Sequence, residues 1–226
     1  SDATGAAFSA HIGSRYSDAI PLQQVNSGID IMIGGGRVDF EHHKDTIQEK
    51  GYEYINNMDD FRSSKADRFF AILTTTHFMN NANTPSLAEL VHKTIQILSK
   101  NETGFILMIE EGLIDNYSHA RNMDATITKV QELDKALRVA LNFARSNHDT
   151  LVVVTADHET GGIQLGTGQP SNAWFTSGDH TAVNVPLYAF GLHAYLFDDK
   201  VLHNTDVNKL MMQAMGFLDF PSLLTE

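Results

Sequence analysis

Short apolar runs recur along the chain between longer amphipathic segments, and this alternation constrains the fold more than any other feature. The runs are Ile29-Asp30-Ile31-Met32-Ile33, Phe69-Phe70-Ala71-Ile72-Leu73, Phe105-Ile106-Leu107-Met108-Ile109, Leu151-Val152-Val153-Val154 and Pro186-Leu187-Tyr188-Ala189-Phe190. Near-continuous β-prone runs of this length predict strands buried on both faces, the signature of a sheet covered by helices. The expected class is therefore α/β, a three-layer sandwich with a central, mostly parallel sheet and helices on both faces.

The helices announce themselves by spacing. Thr84 is placed to cap and Pro85 takes the first helical position, ahead of Leu87, Leu90, Val91, Ile95 and Leu98 at helical intervals. A longer helix carries Ile127, Val130, Leu133, Leu137, Ala140, Leu141 and Ala144 along one face, with Asp134, Lys135 and Arg138 turned away. A last helix spans about Asp206 to Met215. Gly34-Gly35-Gly36 follows the first strand without the Lys-Ser/Thr or the glycine spacing of a phosphate loop, so a tight turn is expected.

Composition closes several routes. The 226 residues include no cysteine, which excludes disulfide scaffolds, thiolate nucleophiles and Cys-ligated zinc. With 42% hydrophobic and 19% charged residues the chain can build a core. A formal charge of -12 with no Lys/Arg run gives no footprint for a nucleic-acid backbone and repels anionic membranes. Neither an 18-residue apolar stretch nor a signal-like N-terminus is present, so the expectation is a soluble chain, cytoplasmic or already processed.

Chemistry-bearing residues gather at the strand ends, where open α/β sheets bind ligands. Glu110 ends one run, with Asp115 and His119 four apart behind it. Asp157-His158 follows another run and leads into Gly161-Gly162, and Asp179-His180-Thr181 precedes the last. Imidazole with carboxylate suits zinc and all-oxygen sets suit magnesium, and a cation would absorb the mutual repulsion of clustered carboxylates. Taken singly, the Asp-His pair is as well read as a strand-end hydrogen bond, and Asp-x-x-x-His as a solvated helix face. Recurrence of such clusters at three strand edges favours metal. The other eight histidines, among them His42, His43, His77, His92, His148 and His203, are expected at the surface or in local structure.

Several segments resemble the alkaline phosphatase family. They are Leu98 to Glu110 with Ile114-Asp115 and His119, then Val153 to Gly162, then Asp179-His180-Thr181 with Ala189 to Ala194. The glycine triplet, the helix from Thr84, and the N-terminal Asp2-Ala3-Thr4 with Ala10-His11 and Ser14-Arg15 also fit. The resemblance implies that Asp115, His119 and His180 bind one zinc, Asp157 and His158 a second, and Asp2, Thr4 and Glu110 magnesium, with Arg15 clamping substrate phosphate. It implies a phosphomonoesterase working through a phosphoserine, acting on small phosphate monoesters with inorganic phosphate as product, in the periplasm or outside the cell.

The family's Asp-Ser-Ala nucleophile motif and a bridging Asp have no counterpart here, and Ser63-Ser64, Ser86 and Ser177 lack the flanking residues. Residues 1–226 are thus expected to form a single incomplete domain lacking N-terminal strands, inactive alone and prone to self-association through bared apolar surface. Gly5 stands where relatives have Pro, Glu111 where they usually have Gly, and Asn116 where they often have Lys, His or Trp. The 21 residues between His158 and His180, with a short crown-like insert at about 159–179, allow a homodimer without implying one. Two other readings share part of the pattern: a phosphodiesterase or sulfatase of the wider superfamily, and a non-catalytic metal- or phosphate-binding module.

Overall fold

The computed structural model describes residues 2–14, 17–75, 84–166, 173–198 and 201–217. The chain forms two compact units, residues 1–110 and 111–226.

The first unit is built on a parallel sheet. Strands β1 (Ile31–Gly34) and β2 (Glu53–Ile55) flank a central β3 (Phe69–Ile72), with Met32 opposite Phe70 and Ile55 opposite Ala71. Because successive side chains alternate across a strand, β3 serves two cores. Phe70 and Ile72 face Val25, Phe40, Ile47 and Tyr52, while Phe69, Ala71 and Leu73 face Ile55, Phe61 and Leu90. The first set draws on α2 (Ile20–Asn26), α3 (Arg37–Phe40) and α4 (Lys44–Glu49), the second on α5 (Met58–Ser63) and α6 (Leu87–Leu98). Helices thus cover both faces of a parallel sheet, the α/β arrangement expected from the alternation. Burying Phe40, Phe61, Phe69 and Phe70 almost completely contributes roughly 1.5–3 kcal/mol for each ring.

Three local expectations are corrected. Ser86, not Thr84, caps α6: its Oγ accepts from Glu89 N at 3.2 Å, while Pro85 is fully buried. Phe105–Ile109 forms no strand, since no described segment offers it a hydrogen-bonding ladder, and Ile106 is 49% exposed. Of the remaining runs only β3 is buried along its whole length. The glycine triplet does form the expected turn, with Gly34 ending β1 and Gly36 (φ 90°) at the cap of α3.

The second unit opens with α7 (Leu113–His119) and α8 (Met123–Ser146), which pack together. Three antiparallel pairs follow: β4 (Leu151–Thr155) with β9 (Leu187–Gly191), β5 (Glu159–Thr160) with β8 (His180–Thr181), and β6 (Ile163–Leu165) with β7 (Ala173–Phe175). Helix α9 (Asn204–Ala214) closes the described chain. On α8 the buried face is rotated from the expected one. Thr126, Lys129, Ala136 and Ala144 are buried and Val130 is 49% exposed. The cause is polar: Thr126 meets Ser118 Oγ at 3.4 Å, and Lys129 reaches Glu111 at 3.7 Å with both side chains over nine-tenths buried. Asp134 and Arg138 remain outside, as an exposed ion pair.

Candidate metal centre

Helix α7 carries the first two donors. Leu113 and Ser118 are its buried residues; Ser118 Oγ donates back to Ile114 O at 2.8 Å within the helix and meets Thr126 Oγ1 of α8 at 3.4 Å. The opposite side presents Asp115 and His119, one turn apart, with His119 Nε2 3.4 Å from Asp115 Oδ1. The chain then reverses at Arg121 (φ 53°), whose Nε donates to Ser177 O at 3.2 Å. One side chain thereby ties the exit of α7 to the loop that delivers the third donor.

That donor arrives through the two-residue pairing of β5 with β8, where Thr160 lies opposite His180 and Glu159 opposite Thr181. Alternation puts Thr160 and His180 on one face and Glu159 with Thr181 on the other. Away from the cluster, Glu159 accepts from Thr181 Oγ1, from Ile163 N at 3.0 Å and from Gly162 N at 3.2 Å. Burial raises the Glu159 carboxyl, but these hydrogen bonds outweigh it and leave the group below its ordinary value. The connecting turn needs glycine twice. Gly161 (φ 94°) and Gly162 (φ 59°) adopt left-handed backbone, and an added Cβ would lie 2.6 Å from the Phe175 ring and 2.2 Å from Thr176 Oγ1 respectively. Gly161 N donates to Asp179 O at 3.0 Å, clamping the segment beside His180.

The result is a convergent triad. Asp115 Oδ1 lies 3.4 Å from both His119 Nε2 and His180 Nε2, and the two Nε2 atoms are 3.0 Å apart. Donors bound 2.0–2.1 Å from a tetrahedral zinc sit about 3.3–3.4 Å from one another, so these residues fit such an ion. Protonation agrees. His119 Nδ1 lies 2.7 Å from Gly178 O, and a carbonyl only accepts, so Nδ1 is the donor there and Nε2 is the nitrogen turned into the cluster. The three side chains are 35–46% exposed, leaving a face open to a small ligand.

The second pair adjoins it. The His158 ring stacks on His180 with centroids 3.6 Å apart, and His158 Nε2 is 3.2 Å from Asp157 Oδ2. Thr160 joins the two groups: its hydroxyl donates to Asp115 Oδ1, and its oxygen lies 3.2 Å from His158 Nδ1. Sequence reasoning missed Thr160 and Glu159. A hydroxyl two residues beyond His158 carried a signal only if that stretch was read as a strand facing the metal.

Asp2 accepts from Ala3 N at 2.8 Å as the cap of α1 (Ala3–Ser9), Thr4 lies in that helix's first turn, and Glu110 ends the irregular 105–110 segment. Arg15 and His77 lie outside the described residues. The other histidines singled out, His42, His43, His92, His148 and His203, are exposed or half-buried. The serines considered as nucleophiles are in local bonds: Ser63 to Asp60 O, Ser64 to Glu53, Ser86 as a helix cap, Ser177 to Asp179 N.

Residues 1–177 match the family model for alkaline phosphatase. Alkaline phosphatase 3 of Bacillus subtilis is 28% identical over 224 residues, covering 92% of this chain and 46% of the relative. The solved alkaline phosphatase of the Antarctic bacterium TAB5 superposes with a TM-score of 0.85 at 26% identity, covering 95% of this chain and 68% of that one. A mutant of the TAB5 enzyme has Mg bound in its M3 site. The chain spans about half the length of the curated relatives it matches. With a family match over most of its residues and the same fold in a solved relative, this chain belongs to the alkaline phosphatase family.

Proposed function

We propose that these residues form part of a metal-dependent phosphomonoesterase. In this reading Asp115, His119 and His180 hold one zinc, Asp157 and His158 contribute to a second, and Asp2, Thr4 and Glu110 hold magnesium. Arg15 clamps the substrate phosphate. The observation that carries it is the convergence of Asp115 Oδ1, His119 Nε2 and His180 Nε2, two separations of 3.4 Å matching the edges of a zinc coordination tetrahedron and the third, at 3.0 Å, a little inside them. Family membership supplies the reaction class, hydrolysis of small phosphate monoesters to inorganic phosphate.

Divalent ions held there supply Lewis acidity and charge neutralisation for phosphoryl transfer. The chain's own residues position. Gly178 O keeps the proton of His119 on Nδ1, Arg121 holds the adjoining loop through Ser177 O, and the Arg15 guanidinium matches two phosphate oxygens with its planar fork. The 226 residues contain no Asp-Ser-Ala motif, so the phosphoserine step belongs to the whole protein and this chain binds metal without turnover. We read the chain as one part of a larger domain, compatible with a homodimer, whose parent works in the periplasm or outside the cell. No described helix is long and apolar enough to cross a membrane.

Metal analysis of the purified chain tests the reading. A single tight zinc per chain is expected, lost in His180→Ala. Retention of that zinc by His180→Ala would refute the assignment.

A further inference from the structure

We propose that Thr160 is a positioning residue that sets the hydrogen-bond polarity of both metal-binding groups through one hydroxyl; the inference rests on the metal-centre reading above. Thr160 is 7% exposed and projects from β5 on the same face as His180. A threonine hydroxyl has one hydrogen to give and lone pairs to receive with. Asp115 can only accept when ionised, so the Thr160 hydrogen goes to Asp115 Oδ1. That is the oxygen 3.4 Å from both His119 Nε2 and His180 Nε2, and the bond fixes the carboxylate's rotation where it meets the ion.

With its hydrogen spent, the Thr160 oxygen faces His158 Nδ1 at 3.2 Å as an acceptor, so Nδ1 carries a proton. The nitrogen left for a cation is Nε2, which lies beside Asp157 Oδ2 at 3.2 Å. One hydroxyl therefore orders Asp115 in the first group and the ring of His158 in the second. Gly178 O does the same for His119 with a backbone carbonyl. The Thr160 side chain thus contacts members of both groups. Outer partners of this kind typically change metal affinity about 10–100-fold when removed.

The test is zinc affinity of the 226-residue chain, by competition with a chromogenic chelator, for the unaltered chain and for Thr160→Val, Thr160→Ser and His180→Ala, with circular dichroism as the fold control. Thr160→Val is expected to weaken binding about 10–100-fold at unchanged circular dichroism. Thr160→Ser restores the hydroxyl and stays near the unaltered chain, and His180→Ala abolishes tight binding. Thr160→Val binding as tightly as the unaltered chain, or Thr160→Ser binding as weakly as Thr160→Val, would overturn the role of the hydroxyl while leaving the metal centre standing. Equal binding by His180→Ala and the unaltered chain would overturn the centre and the inference with it. If Thr160→Val fails to fold, Thr160→Ala against Thr160→Ser carries the same contrast without a branched methyl pressed on Asp115.

Discussion

Gly161→Ala is the sharpest test of how the second unit delivers His180. At φ 94° the backbone is left-handed, which costs a residue with a Cβ roughly 1–2 kcal/mol. The new methyl would also sit 2.6 and 3.0 Å from two Phe175 ring carbons and 3.3 Å from Ser118 O. Relief requires Phe175 to move on β7, and overpacking of this sort costs about 1–3 kcal/mol. The expected destabilisation is about 2–5 kcal/mol. The chain has a single tryptophan, Trp174, next to Phe175 on β7 and opposite Gln164 on β6, so its fluorescence reports this hairpin. Urea unfolding followed at Trp174 should show a lower midpoint with an unchanged slope, the mark of lost stability rather than an altered unfolded state. Zinc affinity should fall as well, because Gly161 N holds Asp179 O beside His180. An unchanged midpoint would refute the argument that Phe175 and the left-handed turn require glycine.

Lys129→Met should cost about 3–5 kcal/mol at neutral pH by stranding Glu111 in the interior, whereas Lys129→Met with Glu111→Leu should come out near neutral; chemical denaturation measures both. Burial already pushes the Glu111 carboxyl up, with Lys129 opposing it. A carboxyl raised on folding favours the fold below its ordinary value and loses that stability as pH rises through the raised one, so the single variant should regain stability on mild acidification. Glu159 has the opposite sign: held below its ordinary value, it stabilises above that value, and this is lost as pH falls through the lowered one. An acid titration of Trp174 fluorescence should therefore show a transition that Glu159→Gln flattens. The 226-residue chain assayed with a chromogenic phosphate monoester, zinc and magnesium should show no turnover; turnover abolished by changing Arg15 would refute the proposal that the nucleophile lies elsewhere in the protein. In sedimentation the chain should self-associate, since Tyr188, Leu192, Tyr195 and Val201 are exposed by 43–86%.

Sequence alone determined whatever depends on neighbours along the chain. The alternation of apolar runs with amphipathic stretches led to an α/β fold, and the four-residue spacing of Asp115 and His119 placed both on one turn of helix, because helical periodicity is local. Composition removed thiolate from any metal donor set. Tertiary structure decided what depends on partners distant in sequence. Phe105–Ile109 is as β-prone as Phe69–Leu73, yet only the latter finds a ladder on both sides, and strands exist by pairing. The buried face of α8 turned toward Thr126 and Lys129 because Ser118 and Glu111 lay opposite, which no hydrophobic count could register. His180 reaches Asp115 and His119, and Thr160 reaches Asp115 and His158, only because β5 pairs with β8, a strand that follows two others in the chain. Donor identity is a property of residues, but donor geometry is set by register and backbone handedness, which appear only once the chain has folded.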